Sequence, residues 1–330
     1  MSKKTESDFL HPVPLQTLEN TKCDQCTNRE ERKRHEIEGY CNVIDFDDNL
    51  PIRCVGDWGK DKITFLRKYV DIVAKAMKNQ FIVNYIEICS GPGRCVDNHS
   101  YELIDGSPLT ILTCDNAKYI SNFLFVDFDK KTIDILNQRI NMSKRIKQEV
   151  KDKSKIIIGD YTKPNELVTK IKKIIPQTYQ TLNIIFIDPT NFEVPFNLYH
   201  EIINKLNRVD FIINFPFGMD LNRNICNAIK NPNGLSYSKY KKAIPYPNKL
   251  NTQEYKNLAF KNGNYDLVNF IKKDILLEFK LQGYKFSSSY KIKHYYELIF
   301  FSKSNKGLEF WKDASKIPCN DIENRQSYLF

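Results

Sequence analysis

The sequence predicts an α/β fold: a mostly parallel, seven-stranded sheet with an antiparallel last strand and helices on both faces. Short, continuously apolar runs alternate with stretches of helical periodicity, and such runs indicate parallel strands that are buried on both sides. The last two apolar runs, 285–293 and 295–302, almost touch in sequence. Because so short a link cannot make a parallel crossover, these runs predict an antiparallel hairpin that closes the sheet.

The elements before that hairpin follow in a regular order. A first helix is predicted from Asp61, where apolar residues recur three or four apart as far as Met77. Strands are predicted at 81–89, 123–129, 155–160, 182–189 and 209–216. The intervening helices are predicted from Ser107, as an N-cap before Pro108, and through 133–140, 167–175 and 198–206. Five βα units completed by a hairpin are the layout of class I, Rossmann-like methyltransferases, whereas dehydrogenases do not normally end this way.

Composition excludes several classes of protein. The chain has 330 residues, 41% of them hydrophobic, which is enough for one large domain and unlike a disordered chain. No window approaches the ~20 apolar residues of a membrane span, and the N-terminus has no signal-peptide core. Nine cysteines, an odd number, predict a reducing compartment, so we expect a cytoplasmic protein. The net charge of +10 suits a DNA or RNA partner, although an AT-rich genome, which favours lysine codons, would produce the same excess.

The first two predicted strands end in residues suited to a nucleotide-like ligand. Ligands of open α/β sheets bind at the carboxyl ends of the strands. The first strand contains Glu87 and ends in the turn Ser90-Gly91-Pro92-Gly93, whose glycines let the backbone approach a ligand. Asp127 and Asp129 end the second strand, where an acid can accept hydrogen bonds from both hydroxyls of a ribose.

The next two strands continue the pattern. Asp160 and Tyr161 follow the third strand, placed to contact the amino group and the ring face of an adenine. Asp188 follows the fourth. Each signal alone also fits a turn, a helix cap or a loop residue, but four successive strand ends together predict an S-adenosylmethionine site. NAD is disfavoured because the third glycine of G-x-G-x-x-G is missing, and no GK[ST] motif for a nucleoside triphosphate occurs.

The fourth strand end supplies the catalytic candidates Asp188, Pro189 and Asn191. The run Asp-Pro-Thr-Asn-Phe is similar to the D-P-P-[YF] of enzymes that methylate adenine amino groups, where an aromatic ring stacks on the extruded base. The second proline is missing and the aromatic residue, Phe192, is displaced, so this interpretation stays one of several. Methylation of cytosine C5 is disfavoured because no Pro-Cys pair ends the strand.

An insertion at 222–262 precedes the final hairpin. It holds eight Lys or Arg residues and one acid, interleaved with four tyrosines: Tyr237, Tyr240, Tyr246 and Tyr255. Basic and aromatic residues in alternation suit phosphate contact and base stacking, which predicts a substrate-recognition element. A solvated basic loop would show the same composition.

Four cysteines near the N-terminus form a candidate metal site. Cys23 and Cys26 are spaced as a C-x-x-C knuckle, and Cys41 and Cys54 would complete a tetrahedral zinc site. His35 is an alternative ligand. An iron–sulfur cluster and free thiols remain alternatives to zinc.

The order of the motifs resembles that of the three-Cys-motif partner (TcmP) family of methyltransferase-fold proteins. The matching blocks are VGDWGKDKITFLRKYV (55–70), YIEICSGPG (85–93), DGSPLTIL (105–112), FVDFD (125–129), GDY (159–161), FIDPTN (186–191), DFIINFP (210–216) and YYELIFFSKSNKGLEFW (295–311). The resemblance also covers the long stretch between Gly93 and Ser107. It implies a partner protein with an iron–sulfur-type three-cysteine motif.

The resulting expectation has three parts along the chain: an N-terminal extension at 1–55, a methyltransferase-like domain at 56–311 and a tail at 312–330. We expect an S-adenosylmethionine-dependent methyltransferase that acts on nucleic acid. The alternative is a non-catalytic subunit that binds the cofactor or a nucleotide beside its three-Cys-motif partner. The absent second proline after Asp188 keeps this alternative open.

Overall fold

The computed structural model describes residue 45 and the ranges 47–56, 58–97 and 102–316. The predicted metal ligands Cys23, Cys26 and Cys41 lie outside these residues. Ten strands are present among the described residues: β1 (Arg53–Val55), β2 (Ile82–Ile88), β3 (Arg94–Asp97), β4 (Leu103–Asp105), β5 (Asn122–Asp127), β6 (Ser154–Ile158), β7 (Thr181–Ile187), β8 (Val209–Phe215), β9 (Phe286–Ile292) and β10 (Tyr296–Ser302).

Seven of these strands form the main sheet, in the order β6-β5-β2-β7-β8-β10-β9. Strands β6, β5, β2, β7 and β8 are parallel, and β10 is antiparallel to both of its neighbours. The predicted fold is confirmed: five parallel strands are closed by a hairpin whose last strand inserts antiparallel, as in class I methyltransferases. Strand order reverses between β5 and β7, on either side of β2, so ligands are expected at the end of β2.

Helices cover both faces of the sheet. They are α1 (Trp58–Met77), α2 (Ser107–Leu112), α3 (Lys130–Met142), α4 (Gln148–Lys151), α5 (Pro164–Ile174), α6 (Asn197–Lys205), α7 (Asn222–Lys230), α8 (Leu235–Ala243), α9 (Gln253–Phe260), α10 (Asn264–Leu281) and α11 (Asn305–Lys316). Helices α1, α2, α3 and α11 pack on one face, and α5 to α10 on the other. None of the described helices is long and apolar enough to cross a membrane.

The central strands are almost entirely buried because they are covered on both sides. Every residue of β8 is buried, and only Ile82 of β2 is exposed. On one face Trp311 of α11 stacks on Phe300 of β10, with 4.9 Å between the ring centroids. Continuous apolar runs are what such strands require, which is why the sequence located each of them to within about two residues.

Strands β1, β3 and β4 form a second, smaller sheet. Strands β3 and β4 pair antiparallel, and β1 lies parallel to β3 through the pairs Arg53–Cys95, Cys54–Val96 and Val55–Asp97. The pairing of β1 therefore crosses the boundary that the sequence analysis drew at residue 55. Helix α11 likewise continues to Lys316, past the boundary drawn at 311.

The insertion at 222–262 is largely helical, and three of its four tyrosines are buried, whereas Phe260 is 71% exposed. Tyr237, Tyr240 and Tyr255 are buried, and their hydroxyl groups donate to Asn251, Asp220 and Asp274. Tyr246 is half-buried and donates to Glu278 over 2.8 Å. For Tyr237, Tyr240 and Tyr255 the expectation of base stacking was wrong, because their rings belong to the core and are not available to a base.

Candidate functional site

The turn after β2 has an unusual backbone. Cys89, Gly91 and Gly93 all adopt positive φ angles, of 69°, 66° and 88°. Glycine tolerates this region because it has no Cβ, whereas a cysteine there is strained. The amide groups of Cys89 and Ser90 both donate to the carbonyl of Val126 in β5, which anchors the turn to the neighbouring strand. The predicted glycine turn is therefore a tight loop over the point where strand order reverses.

The two glycines of this turn have different surroundings. A Cβ built on Gly91 would meet a single atom within 4 Å, Nη1 of Arg53, so the space in front of it is open. A Cβ on Gly93 would lie 2.8 Å from Cδ1 of Leu136 in α3. Gly91 thus opens a surface on which a ligand can rest, and Gly93 allows the turn to pack on α3.

Asp127 and Asp129 have distinct roles, although the sequence could not tell them apart. Asp127 is buried; its Oδ2 accepts from the amide of Gly91 at 3.0 Å and its Oδ1 from the amide of Asp129 at 3.2 Å. Asp129 is the N-cap of α3 and accepts from the amides of Lys131 and Thr132. Burial acts to raise the pKa of Asp129, but these hydrogen bonds and the Thr132 hydroxyl hold it below its usual value. Asp127 therefore belongs to the glycine turn, and Asp129 starts the helix.

Glu87 lies beneath the turn in a buried network. Its carboxylate accepts from the Ser107 hydroxyl at 2.5 Å and from the Tyr85 hydroxyl at 2.8 Å. Burial raises its pKa to about 8 against the opposing effect of these two hydrogen bonds. Ser107 is consequently not the N-cap that the sequence predicted: the cap position of α2 is Gly106, which has no side chain to bond, and the Ser107 hydroxyl is directed to Glu87.

The remaining predicted cofactor residues lie around the ends of β5 and β6. Oδ1 of Asp160 accepts from both the amide and the hydroxyl of Thr162, which forms a local turn. The Tyr161 hydroxyl donates to Glu193 at 2.9 Å. Phe128, 65% exposed, and Ile158, 43% exposed, present apolar side chains beside Asp127. Sequence reasoning missed both residues; the available local signal, an apolar residue directly after a strand-end acid, applies to Phe128.

Basic residues fasten the N-terminal segment to the same turn. Arg139 of α3 donates to the carbonyl of Pro92 at 2.8 Å and to that of Leu50 at 3.0 Å, and it pairs with Asp48. Arg94 of β3 pairs with Asp45 at 2.5 Å. These contacts hold Asp45, residues 47–55 and strands β3 and β4 against the turn, a connection that no local pattern in the sequence revealed.

Asp188 is the centre of a second cluster, at the ends of β7 and β8. Its Oδ2 pairs with Nζ of Lys62 at 2.5 Å, and its Oδ1 accepts from Nδ2 of Asn214 at 2.7 Å. The amide of Asp188 donates to the carbonyl of Ile88, so the cluster lies directly beside the end of β2. The sequence analysis identified Asp188, and the end of the fifth strand, which begins at Asn214, was expected to form the other wall of a substrate pocket. It missed Lys62, which comes from α1.

The loop after Asp188, together with Asn214 and Pro216, lines a narrow cleft with an interior volume of about 10 Å³. Pro189 is buried and Asn191 is exposed. Phe192 packs among Phe215, Phe217 and Tyr240, with ring centroids 5.9 to 6.2 Å apart. Phe192 is 3% exposed and belongs to the core, so it is not available to stack on an extruded base.

Two buried side-chain atoms have no hydrogen-bond partner within the part of the chain that the structure describes: Oγ of Ser90 and Oδ1 of Asn214. Buried polar atoms are normally hydrogen-bonded, so each of these two atoms marks a position where a water molecule or a ligand is expected to donate. One lies in the glycine turn and the other in the Asp188 cluster. With the open space at Gly91, the acid Asp127 and the apolar Phe128, the turn fits the adenosyl and amino-acid parts of S-adenosylmethionine.

The predicted zinc site cannot be located, because three of its four cysteines lie outside the described residues. In the ranges 47–56, 58–97 and 102–316, together with residue 45, no group of three or more His, Cys, Asp or Glu residues is arranged to hold a metal ion. Cys54 belongs to β1, and its three predicted co-ligands lie outside the described residues.

No protein-family model and no curated protein matches the chain. Among solved structures it is similar to the O-methyltransferase TomG from Streptomyces achromogenes in complex with SAM, with 9% identity, a TM-score of 0.36, and coverage of 72% of this chain and 80% of that one. It is also similar to the plantazolicin methyltransferase BpumL in complex with SAH, with 11% identity, a TM-score of 0.31, and coverage of 88% and 98%.

The methyltransferase domain of bacterial CtHen1 is a further such structure, with 9% identity, a TM-score of 0.31, and coverage of 72% of this chain and 98% of that one. Similarity at such low sequence identity and TM-score does not show which reaction this chain catalyses. The assignment of the fold rests on the strand order and on the antiparallel last strand of the sheet.

Proposed function

We propose that this protein is an S-adenosylmethionine-dependent methyltransferase of the three-Cys-motif partner type that acts on nucleic acid. The observation that carries the proposal is the Gly91 turn at the reversal of strand order, with Asp127 bonded to the Gly91 amide. A backbone surface with open space, a buried acid and an orphan hydroxyl together suit a ligand that brings a ribose and an amino-acid group.

Each part of the turn has a defined task toward the cofactor. Asp127 would accept hydrogen bonds from the ribose hydroxyls, and Phe128 would pack against the adenine ring. The Ser90 hydroxyl, which has no partner among the described residues, would form a hydrogen bond with the amino-acid part of the cofactor. When bound, the cofactor supplies an electrophilic methyl group on a sulfonium. Asp188 lies one strand away, because its amide bonds to the carbonyl of Ile88 at the start of the turn.

The choice of nucleic acid as substrate is supported by charge and position. The chain carries a net charge of +10. Ala243, at the end of α8, lines the cleft beside Asp188, and the preceding Lys241 and Lys242 are exposed. Cationic side chains beside a cleft suit contact with phosphates. The association with a three-Cys-motif protein, a cytoplasmic location and zinc binding by Cys23, Cys26, Cys41 and Cys54 remain predictions from the sequence.

Calorimetric titration of S-adenosylmethionine and S-adenosylhomocysteine into the protein tests the cofactor. We expect micromolar binding that Asp127→Ala weakens by about tenfold or more, because hydrogen bonds to a charged group are each worth about 1.5–3 kcal/mol. Asp134→Ala, an exposed acid on α3, is the matched control. Absence of binding by folded wild-type protein would overturn the proposal and favour an interaction subunit that does not bind this cofactor.

A further inference from the structure

The turn between β9 and β10 lies at the same edge of the sheet as the candidate site. Strand β10 runs antiparallel to β8, so the start of β10 lies beside the end of β8. Nζ of Lys62 lies 2.5 Å from Oδ2 of Asp188 and 6.0 Å from the centroid of the Tyr296 ring, so a single side chain connects the two. The turn therefore lies beside the acceptor end of the site, which is formed by Asp188, Lys62 and Asn214.

Backbone contacts fix this turn to the residues that follow β8. The amides of Gly218 and Met219 both donate to the carbonyl oxygen of Tyr295, at 2.9 and 3.1 Å. A Cβ on Gly218 would collide with the carbonyl oxygen of His294, so glycine is required for this close approach. Lys293 adopts a φ of 52°, which turns the chain between the two strands. Because these contacts join main-chain atoms, substitution of a lysine side chain in the turn leaves them in place.

The turn is basic and exposed. Residues 286–296 include two lysines, one histidine and no acidic residue. Lys291 and Lys293 are both exposed. The acid opposite Lys291 in β10 is Glu297, which is buried and pairs with Lys272 of α10. The charge of Glu297 is therefore balanced by Lys272, and the turn presents a net positive charge.

The position and the charge of the turn together match the backbone of a nucleic acid. Neighbouring strands lie about 4.8 Å apart, so β10 and β9, two and three strands from β7, lie about 10–15 Å from Asp188. Successive phosphates of one strand are about 3.4 Å apart along the axis of duplex DNA, so the turn would meet the backbone about three or four nucleotides from the methylated one. Lysine contacts a phosphate as a point charge, which suits an exposed turn.

We propose, on the basis of the nucleic-acid methyltransferase function proposed above, that the β9–β10 turn is a phosphate-binding surface for the substrate strand. Lys291 and Lys293 contact backbone phosphates on the side of the target nucleotide that lies toward β10 and β9. Contacts with phosphates fix the register of a strand without reading its bases. The turn therefore contributes affinity and position, and the groups around Asp188 select the nucleotide.

The salt dependence of nucleic-acid binding tests this surface. Fluorescence anisotropy gives the affinity of the S-adenosylhomocysteine-loaded protein for labelled single-stranded DNA or RNA of mixed sequence, between about 50 and 200 mM salt. Each phosphate contact with a single strand contributes about 0.7 to the slope of log K against log salt. The double variant Lys291→Ser, Lys293→Asn should therefore lower the magnitude of the slope by about 1.4. Asparagine suits position 293 because it tolerates a positive φ.

The double variant Lys280→Gln, Lys285→Ser is the matched control. It removes the same charge from exposed side chains, and Lys285 precedes β9 at the opposite edge of the sheet. A lower slope in the turn variant, with the control at the wild-type slope, supports the proposal, and the DNA and RNA arms show which strand is bound. An equal change in both variants or an unchanged slope in the turn variant contradicts it. Absence of nucleic-acid binding by the wild type also overturns it.

Two further titrations separate this surface from the cofactor site and from a protein partner. Calorimetry should give the wild-type affinity for S-adenosylhomocysteine in both double variants. Failure of the wild type to bind the cofactor would remove the proposed function, whereas a lowered salt slope for nucleic acid would still support the surface. Poly-L-glutamate replaces the oligonucleotide in the second titration. If it binds more tightly than DNA and RNA, and the turn variant weakens it, the surface belongs to an acidic protein and the proposal fails.

Discussion

The two ends of the candidate site are built in different ways. The cofactor end is a backbone structure: residues 87–93 are contiguous, and Asp127 joins them by accepting from the Gly91 amide. The acceptor end is made of side chains that are distant in sequence, with Lys62 and Asn214 lying 126 and 26 residues from Asp188. A site made from backbone leaves a local trace in the sequence, whereas a site made from distant side chains does not.

The difference also separates the expected effects of substitution. Changes at the cofactor end should alter binding of the cofactor and the stability of the turn. Changes at the acceptor end should alter turnover while the cofactor still binds. The predictions below test this separation.

Asp188→Asn should have the largest effect, on turnover. The substitution keeps the shape of the side chain but removes the proton acceptor and the partner of Lys62. We expect kcat for methyl transfer to fall by about 100-fold or more, a usual contribution of a positioned acid or base, with cofactor affinity near that of the wild type. Steady-state label transfer and calorimetry measure the two quantities. A parallel loss of cofactor affinity would show that the two ends are not independent.

Glu87→Gln should change how stability depends on pH. The pKa of Glu87 is about 8 in the folded protein and 4.5 in the unfolded chain. Between these pH values the folded state therefore binds one more proton than the unfolded state. The contribution of protonated Glu87 to the free energy of unfolding is therefore fully present below about pH 4.5 and is lost as pH rises through about 8. Between about pH 5.5 and pH 8 the wild type should lose up to about 3 kcal/mol relative to the glutamine variant.

Denaturant unfolding of both proteins at the two pH values measures that difference. Asp188, which raises the pKa of Glu87, and Lys62, which lowers it, are the charged groups that act on it, so the acceptor end is coupled to the base of the turn. A difference between the proteins that does not change with pH would show that Glu87 is ionised in the folded state throughout.

Gly93→Ala and Gly91→Ala should separate stability from binding within one turn. Both carry a positive φ, which costs an alanine about 1–2 kcal/mol. At Gly93 the new methyl group also meets Leu136 at 2.8 Å, which adds about 1–3 kcal/mol of overpacking. At Gly91 the new methyl group projects into open space and should mainly weaken binding of the cofactor. Thermal unfolding and calorimetry compare the two; a more severe loss of cofactor affinity in Gly93→Ala would contradict the assignment.

Asp129→Ala should have the smallest effect. Removal of an N-cap is expected to lower the free energy of unfolding by about 1 kcal/mol, because the amides of Lys131 and Thr132 lose their acceptor. The affinity for the cofactor should fall less than in Asp127→Ala. Equal losses of affinity in the two variants would show that Asp129 also contributes to cofactor binding.

The sequence by itself determined the layout of the sheet and the position of the glycine turn. Continuous apolar runs are required wherever strands are covered on both faces, and glycine is favoured wherever φ is positive. The strands and the glycine turn can therefore be predicted from the residues at those positions. The short link between β9 and β10 similarly required an antiparallel hairpin. These features depend on neighbours along the chain, which is why the fold and the cofactor end could be predicted.

Only the tertiary structure decided which polar and aromatic residues face a ligand. It separated Asp127 from Asp129, directed Ser107 to Glu87, and buried three of the four tyrosines that the sequence had presented as a binding surface. It also brought Lys62 and Asn214 to Asp188. The physical reason is the same in each case: the direction of a side chain depends on packing against elements far along the chain, and no local pattern encodes that packing.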